Sequence, residues 1–269
     1  MNTISIGNVK YEDGSFPLIA GPCVIESRDH SLRMAEHIQK ITNSLNIPLI
    51  FKSSFDKANR SSIESFRGPD NLESGLSVLA DIKKELGIPV LTDVHLPDQC
   101  SLVAEVCDVL QIPAFLCRQT DLLLAAGETG KVINIKKGQF LAPGKMKHTA
   151  KKIESTGNKN IILTERGTSF GYSLVSDMTS IPVMSQIGYP VVFDATHSAQ
   201  LPGDKNTTGG QREMIPTLAK AAVAAGCNGV FMEVHDDPKN AKSDASTQWP
   251  LDKLENILQD LLKVYEAVN

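Results

Sequence analysis

A repeating pattern of apolar and polar positions runs along the chain after its first dozen residues. Each repeat is a short apolar run rich in β-branched residues, then a polar turn, then an amphipathic segment of helical length. The pattern predicts eight strands, at residues 17–20, 48–51, 89–91, 109–112, 132–135, 161–163, 190–193 and 230–232. It predicts eight helices, at residues 31–45, 71–86, 98–106, 121–126, 145–155, 177–186, 212–225 and 251–267.

Eight strand–helix alternations without a break in composition predict an α/β fold of one closed TIM (β/α)8 barrel. Residues 1–12 predict a β-hairpin that caps it, because two short alternating runs flank a Gly-Asn turn. We therefore predict a single domain over residues 1–269. An open doubly wound sheet is the alternative, but no G-x-G-x-x-G follows the first strand, which removes its dinucleotide-binding version.

Composition narrows the functional classes. With 41% hydrophobic and 22% charged residues, the chain has the make-up of a soluble globular protein, and no apolar run is long enough to span a membrane. The net charge of −4 gives no reason to expect a nucleic-acid partner. The start lacks a signal-peptide pattern and the five cysteines form no C-x-x-C pair, so we expect a cytoplasmic protein with reduced thiols.

A polar side chain follows each predicted strand at the end where barrels of this type carry their chemistry. These residues are Cys23, Lys52, Asp93 with His95, Gln111, Lys136, Arg166, Asp194 with His197, and Glu233. A cap or a surface ion pair is the ordinary explanation for any one of them. Together they predict a functional site at one end of the barrel.

Cations are concentrated at these strand ends although the chain is acidic overall. They are Lys52, Lys57, Arg60, Arg118, Lys136 and Arg166. Like charges gathered at one mouth repel each other unless an anion binds there, and phosphate and carboxylate are the usual partners of such side chains. The alternative is neutralisation by nearby acidic residues, namely Glu26, Asp56, Asp93 and Glu165.

Loops after the strands add to this prediction. Residues 52–62 combine three cations with hydroxyls and an amide, which favours binding of phosphate and sugar hydroxyl groups. Residues 198–211 and 235–249 are long enough to act as lids.

A second chemical group consists of Cys23, His197, Glu233 and Asp244, from the first, seventh and eighth strand–loop units. The first and eighth strands of a closed barrel are neighbours, so these residues are expected to converge. Mixed nitrogen, oxygen and sulfur ligands suit Fe²⁺, Zn²⁺ or Mn²⁺. A buried structural thiol is the alternative for the cysteine.

Other histidines compete for the ligand position. His95 and His235 lie near strand ends and are weaker site candidates. His30, His37 and His148 fall in or beside helices, and we expect them to be solvated.

Eight ordered motifs carry a family resemblance. They are Ala-Gly-Pro-Cys at 20–23, Lys-Ser-Ser-Phe-Asp-Lys-Ala-Asn-Arg-Ser-Ser at 52–62, Thr-Asp-Val-His at 92–95, Gln-Ile-Pro-Ala-Phe-Leu-Cys-Arg-Gln-Thr-Asp at 111–121, Asn-Ile-Lys-Lys-Gly-Gln-Phe at 134–140, Glu-Arg-Gly at 165–167, Asp-Ala-Thr-His-Ser at 194–198 and Phe-Met-Glu-Val-His at 231–235. Over nearly its whole length the chain resembles the 3-deoxy-D-manno-octulosonate 8-phosphate (KDO 8-phosphate) synthases.

The resemblance implies condensation of phosphoenolpyruvate with D-arabinose 5-phosphate and water, in lipopolysaccharide biosynthesis, by a homotetramer. It implies catalytic roles for Lys136, Arg166, His197 and Asp244. It implies phosphoenolpyruvate binding by Lys57, Ala114, Arg118, Lys136, Gln139 and Arg166. It implies arabinose 5-phosphate binding by Lys52, Asn59, Arg60, Ser61 and Gln111.

The family has a metal-dependent branch with cysteine after Gly-Pro and a metal-independent branch with asparagine there. Cys23 is similar to the first, which implies a divalent metal ion held by Cys23, His197, Glu233 and Asp244. The sequence Ser-Asp-Ala-Ser at 243–246 departs from the Asp-Gly-Pro of some members. The aspartate is retained, but the shape of this loop is open.

Three other functions are alternatives for this sequence. The related 3-deoxy-D-arabino-heptulosonate 7-phosphate synthases use erythrose 4-phosphate and carry a Lys-Pro-Arg-Thr-type motif, where this chain has Lys-Ala-Asn-Arg at 57–60. A barrel metal hydrolase typically has His-x-His at the first strand, where this chain has Gly-Pro-Cys. A non-catalytic binding barrel would have little need for both groups of residues.

Overall fold

Parallel strands close a barrel in the computed structural model, which describes residues 2–60, 62–201 and 209–269. The strands are β1 (Leu18–Gly21), β2 (Leu49–Lys52), β3 (Val90–Asp93), β4 (Val109–Ile112), β5 (Val132–Lys136), β6 (Ile161–Glu165), β7 (Val191–Asp194) and β8 (Gly229–His235). Each pairs in parallel with the next, and β8 also pairs with β1. The predicted TIM barrel is confirmed.

Helices follow the strands and surround the barrel. They are α1 (Arg28–Ser44), α2 (Leu72–Leu86), α3 (Gln99–Val106), α4 (Thr120–Glu128), α5 (Met146–Glu154), α6 (Ser180–Ser185), α7 (Ile215–Ala224) and α8 (Leu254–Val268). Short 3₁₀ turns occur at Ala114–Leu116, Pro143–Lys145, His197–Ala199, Arg212–Met214 and Leu251–Lys253. Helix α6 is shorter than predicted because Asp177 accepts hydrogen bonds from Thr179 and forms a turn before it.

Local capping chemistry sets where the first helices begin and end. Helix α1 begins after Ser27, whose hydroxyl oxygen accepts the His30 backbone N–H at 3.2 Å. Helix α2 begins after Asn71, whose side chain accepts the Ser74 N–H at 2.8 Å, and it ends at Gly87 with a φ of 66°. Both ends follow the ordinary preferences for polar N-caps and a left-handed glycine at the C-terminus.

The N-terminal hairpin fills one end of the barrel. Its strands, Ile4–Ile6 and Val9–Tyr11, are antiparallel. Their buried side chains form one apolar cluster with residues inside the barrel: Ile4, Ile6, Val9, Tyr11, Ile19, Ile50, Leu91, Val109, Val132, Ile162, Val192 and Phe231. The predicted cap is therefore a plug that contributes to the core, and this closure leaves the carboxyl ends of the strands as the open face.

The carboxyl end carries further short strands. Thr168–Phe170 pairs with Ser173–Val175, and Gln200–Leu201 pairs with Gly209–Gly210. Trp249–Pro250 pairs in parallel with β8. Within the described ranges, none of the helices has the length and apolar character needed to cross a bilayer.

Candidate active site at the carboxyl end of the barrel

The four predicted metal ligands converge at this end. Ligand atoms of Cys23, Glu233 and Asp244 lie within 4.8 Å of one another, and the Cys23 Sγ is 3.4 Å from Asp244 Oδ2. His197 Nε2 lies 3.6 Å from Glu233 Oε1 and 3.5 Å from Asp244 Oδ2. The set combines sulfur, nitrogen and oxygen donors in a space that suits a divalent transition-metal ion.

Backbone packing brings Cys23 to this position. At Gly21 a Cβ atom would lie 2.0 Å from the Lys52 carbonyl oxygen, so the two strand ends can approach this closely only with glycine. The Cys23 backbone N–H donates to Gln248 Oε1 at 3.0 Å, which connects the β1 loop to the loop after β8. Asp244 adopts a φ of 45°, a left-handed conformation that non-glycine residues seldom adopt.

Charge at the cluster favours ionised carboxylates and a neutral thiol. Burial, with Asp244 and Glu233 close by, raises the pKa of Cys23. Burial alone would raise the pKa of Glu233, but His197, Lys52 and Lys57 outweigh it and lower that pKa. Glu233 Oε2 is buried without a hydrogen-bond partner in the part of the chain that the structure describes. A bound cation would supply what this set needs, because it favours the thiolate and satisfies the carboxylate oxygen.

Two buried lysines flank the same carboxylate. Lys52 Nζ lies 3.1 Å from Glu233 Oε1 and donates to the Cys23 carbonyl oxygen at 3.0 Å. Lys57 Nζ lies 3.8 Å from Glu233 Oε1, and its side chain is 12% exposed. Burial would lower the pKa of Lys57, but Cys23, Glu233 and Asp93 together raise it. Lys57 therefore carries a positive charge at the bottom of the mouth.

Lys136 lies on the opposite side of His197. It forms an ion pair with Asp194, its Nζ is 3.3 Å from His197 Nδ1, and it stands 4.1 Å from the centre of the Phe231 ring. Asp194 Oδ2 is also 2.8 Å from His197 Nδ1, an arrangement that orients the imidazole with Nε2 towards Glu233 and Asp244. Burial lowers the pKa of Lys136.

Arg166 is connected to the candidate metal ligands through an amide that the sequence did not indicate. Its Nη2 donates to Gln200 Oε1 at 2.9 Å, and Gln200 Nε2 donates to Asp244 Oδ2 at 3.3 Å. Arg166 is 5% exposed, so its guanidinium is held inside the mouth.

A ladder of polar side chains crosses the barrel interior beneath these cations. Asn134 Nδ2 donates to Gln111 Oε1 at 3.0 Å, and Thr164 Oγ1 donates to Asn134 Oδ1 at 2.6 Å. All three are buried. Gln111, predicted by resemblance to contact the sugar phosphate, is thereby fixed between the apolar core and the open mouth.

The other residues predicted by resemblance lie at the rim. Arg60 donates to the carbonyl oxygens of Phe66 and Lys242, at 3.1 and 3.3 Å. Asn59 and Arg118 are exposed, whereas Ala114 and Gln139 are half-buried. Ser61 lies outside the described residues.

The acidic residues suggested as the alternative pair with groups other than the cations at the mouth. Glu26 contacts His235, Asp56 pairs with Arg67, Asp93 with His95 and Glu165 with Lys137. Across residues 2–60, 62–201 and 209–269, none of those four carboxylates lies within ion-pair distance of the six cations at issue. Glu233 and Asp194 instead pair with Lys52, Lys57 and Lys136, so an anionic ligand is the explanation left for Arg60, Arg118 and Arg166, which have no carboxylate partner among the described residues.

Contacts of the cluster also include residues that sequence reasoning missed. Ser243 Oγ lies 2.8 Å from Cys23 Sγ, and Gln248 Nε2 donates to the Ser243 carbonyl oxygen at 2.8 Å. For Ser243, one indication of a place in the site was available from the sequence, its position next to the predicted ligand Asp244. No sequence feature marked Gln248, because amide side chains are common in long loops.

A second group of histidines and carboxylates lies outside the mouth, between α1 and the end of β8. His30 Nε2 is 3.0 Å from Asp236 Oδ1, and His235 Nε2 is 3.3 Å from Glu26 Oε1. Glu26 Oε1 also accepts the Lys242 backbone N–H at 2.8 Å. The expectation of a solvated His30 is wrong, because its side chain is 11% exposed within this hydrogen-bonded network. His37 and His148 are exposed as expected.

Comparison with known proteins gives the family. The model of the DAHP synthetase I family matches residues 2–269. The chain belongs to the DAHP synthetase I family.

Individual relatives within the DAHP synthetase I family are close in sequence. A Brucella canis protein named 2-dehydro-3-deoxyphosphooctonate aldolase is 55% identical over 264 residues, covering 97% of this chain and 95% of that protein. A Cyanothece sp. protein of the same name is 60% identical over 255 residues, covering 94% and 93%. That name denotes a KDO 8-phosphate synthase, so the resemblance recognised from the motifs is confirmed.

Proposed function

We propose that this chain is a KDO 8-phosphate synthase, which condenses phosphoenolpyruvate with D-arabinose 5-phosphate and water and releases inorganic phosphate. The observation that carries the proposal is the single mouth in which Lys52, Lys57, Lys136 and Arg166 surround a mixed cluster of metal-ligating side chains. Its close relatives have the corresponding name.

The two substrates carry two phosphates and one carboxylate, and the cations divide accordingly. We assign phosphoenolpyruvate to β5, β6 and their loops, together with the loop after β4 and Lys57 of the loop after β2. The residues are Lys57, Ala114, Arg118, Lys136, Gln139 and Arg166. We assign arabinose 5-phosphate to the side formed by β2, β4 and the β2 loop. The residues are Lys52, Asn59, Arg60, Ser61 and Gln111.

In the reaction, C3 of phosphoenolpyruvate attacks the aldehyde carbon of the sugar while water adds at C2. The aldehyde oxygen gains a proton, and the attacking water loses one. The bond between C2 and the phosphate ester oxygen then breaks and expels phosphate, and the new C2 hydroxyl loses its proton to the departing phosphate, which leaves a ketone at C2. Lys136 and Arg166 stabilise the negative charge on the departing phosphate because they are buried, fixed donors that need no reorganisation. His197 and Asp244 complete the catalytic set beside the reacting carbons.

We also propose a divalent metal ion, Fe²⁺, Zn²⁺ or Mn²⁺, held by Cys23, His197, Glu233 and Asp244. The donor chemistry and the unpartnered Glu233 oxygen support it. When bound, such an ion supplies Lewis acidity for the sugar aldehyde or for water. Asp194 keeps the imidazole of His197 oriented for this role.

Assembly and location are further proposals. Aromatic side chains stand exposed on the loops around the mouth: Phe115 at 57%, Phe140 at 57%, Phe170 at 78% and Tyr172 at 99%. Exposed aromatic side chains of this kind support subunit contacts, and we propose a homotetramer. The five cysteines are free thiols, which supports a reducing, cytoplasmic location. We propose that residues 1–269 act as one catalytic domain.

Phosphate release from phosphoenolpyruvate tests the activity, measured with arabinose 5-phosphate and, as the matched control, with erythrose 4-phosphate. We expect turnover with the five-carbon sugar. Equal or greater turnover with erythrose 4-phosphate would contradict the assignment.

The metal proposal is tested by the same assay after chelation and in a Cys23→Asn variant. The wild type is expected to lose activity on chelation and to regain it with added Fe²⁺, Zn²⁺ or Mn²⁺. The variant is expected to keep some turnover and to respond less to the chelator. Full wild-type activity after rigorous metal removal, or a folded variant inactive under every condition, would be evidence against the metal role of Cys23.

A further inference from the structure

Lys137 is a fully buried lysine directly behind the proposed phosphoenolpyruvate site. Its side chain is 0% exposed, although it follows Lys136 at the end of β5. Its ammonium donates to the carbonyl oxygens of Gly138, Leu141 and Gly167 at 3.3, 3.4 and 3.0 Å. It also donates to Thr168 Oγ1 at 3.1 Å. A lysine is seldom buried to this degree, and here several oxygens replace its water.

These acceptors belong to two different loops. Gly138 and Leu141 lie in the loop after β5, and Gly167 and Thr168 lie in the loop after β6. One main-chain bond joins the same loops, because Ser169 N–H donates to Gln139 O at 2.9 Å, and Lys137 N–H also donates to Thr164 O of β6 at 2.8 Å. The ammonium is thus a side-chain contact that joins the two loops at their base.

One carboxylate accompanies this cation. Glu165 Oε1 lies 3.6 Å from Lys137 Nζ and accepts the Gly167 N–H at 2.7 Å. Burial lowers the pKa of Lys137, and the nearby Glu165 opposes that effect. The pair therefore adds no net charge to the mouth, and its contribution is geometric.

The two strand ends and loops joined in this way carry three of the six residues assigned to phosphoenolpyruvate. Lys136 and Gln139 flank Lys137 on the β5 side, and Arg166 lies between Glu165 and Gly167 on the β6 side. We propose that Lys137 is a positioning residue for the phosphoenolpyruvate site, because its ammonium fixes these two loops relative to each other. The inference rests on the proposed function and deepens it.

The decisive variant is the double substitution Lys137→Met and Glu165→Gln. The single change Lys137→Met would leave Glu165 buried and unpaired, which lowers stability for reasons unrelated to the substrate. The double change removes both charges and retains an acceptor for Gly167. In the metal-loaded enzyme we expect the Kd and KM for phosphoenolpyruvate to rise at least about 10-fold, with the KM for arabinose 5-phosphate within about twofold of wild type.

Two further variants separate positioning from stability. Lys83→Met removes a lysine of α2, away from the loops of the mouth. Lys83 also joins two segments, because its Nζ donates to Val106 O at 3.1 Å and to Asp108 Oδ1 at 2.7 Å. We expect this variant to lower the melting temperature without changing either KM. Thr168→Val deletes one acceptor of Lys137 without burying a charge, and we expect a rise of about 2- to 5-fold in the KM for phosphoenolpyruvate alone.

The outcomes distinguish the inference from the proposed function. If the wild type neither binds phosphoenolpyruvate nor releases phosphate from it, the proposed function fails. If the wild type does both and the double variant binds phosphoenolpyruvate equally well, the role of Lys137 is structural and the inference is overturned. An equal loss of affinity for both substrates would also overturn it. If the double variant does not fold, an unchanged KM in Thr168→Val overturns it.

Discussion

Both ends of the barrel bury side chains, but of opposite kinds. At the amino end, Ile6 and Tyr11 of the hairpin pack at 2% and 0% exposure against apolar residues. At the carboxyl end, Lys52 and Glu233 are 2% and 0% exposed and contact each other. Apolar burial stabilises the fold, whereas buried charge costs free energy unless partners offset it. The difference shows which end has been shaped for binding.

Removing a charge at the carboxyl end should therefore lower activity strongly but change the stability of the fold little. In Lys136→Met, Asp194 keeps His197 as a partner at 2.8 Å, so no carboxylate is left isolated. We expect kcat/KM to fall about 10³-fold, because a fixed donor to the departing phosphate is lost. Phosphate release and thermal unfolding, measured on the same preparation, check this. If the loss of activity were matched by a comparable loss of thermal stability, the two ends would not differ in the way described.

The amino end should show the reverse. Ile6→Ala opens a cavity in the plug, and we expect the free energy of unfolding to fall by about 2–4 kcal/mol. The kcat/KM of the folded variant should stay within about twofold of wild type. Denaturant unfolding and the phosphate assay measure the two quantities.

Tyr11→Phe is the matched control for that plug variant. Its hydroxyl is buried without a partner among the described residues, and burial raises its pKa. Removing it should change the free energy of unfolding by less than about 1 kcal/mol. A loss of activity in Ile6→Ala as large as its loss of stability would show that the two ends are coupled.

The group of histidines and carboxylates outside the mouth, which includes His30, His235 and Asp236, gives a third case for the comparison. Its charged groups pair with one another. Burial opposes ionisation of Asp236, but the bonds from Arg33 and His30 prevail and lower its pKa to about 2, from an ordinary 3.8. This carboxylate stabilises the fold above about pH 4, and the contribution is lost as the pH falls through 2. Asp236→Asn should cost about 1–2 kcal/mol at pH 7, reduced by partial exposure, and almost nothing at pH 2.

Urea unfolding at a series of pH values tests this small effect. The difference between wild type and Asp236→Asn should narrow as the pH falls from 4 to 2. A constant difference across that range would show that the lost contact is not ionic. Activity at pH 7 should remain within about twofold of wild type, since the network lies outside the mouth.

Local sequence patterns predicted the barrel, because each strand and helix depends on periodicity and capping within a few residues. The convergence of Cys23 with Glu233 followed from barrel closure alone. Contacts that depend on one side chain reaching another loop were not predictable. Gln200, between Arg166 and Asp244, and Gln248, on the Cys23 N–H, are amides whose partners lie elsewhere in sequence.

The burial of particular polar residues was also not predictable from the sequence. His30 sits in the first turn of a helix with a polar face, and only the fold places Asp236 and His235 against it. Lys137 looks like the second of two adjacent lysines, yet the strand alternation sends it behind the mouth while Lys136 faces Asp194. Its acceptors are main-chain oxygens, which no residue-type pattern encodes.

Gly21 has a consequence for how this protein can vary. It carries no functional group, but any side chain there would collide with the Lys52 carbonyl and force β1 from β2. That single displacement would move a proposed metal ligand and a proposed sugar-phosphate cation together. In a saturation mutagenesis scan, substitutions of Gly21 should therefore lower activity as much as substitutions of the proposed catalytic residues. A second substitution elsewhere in the chain should not restore that activity.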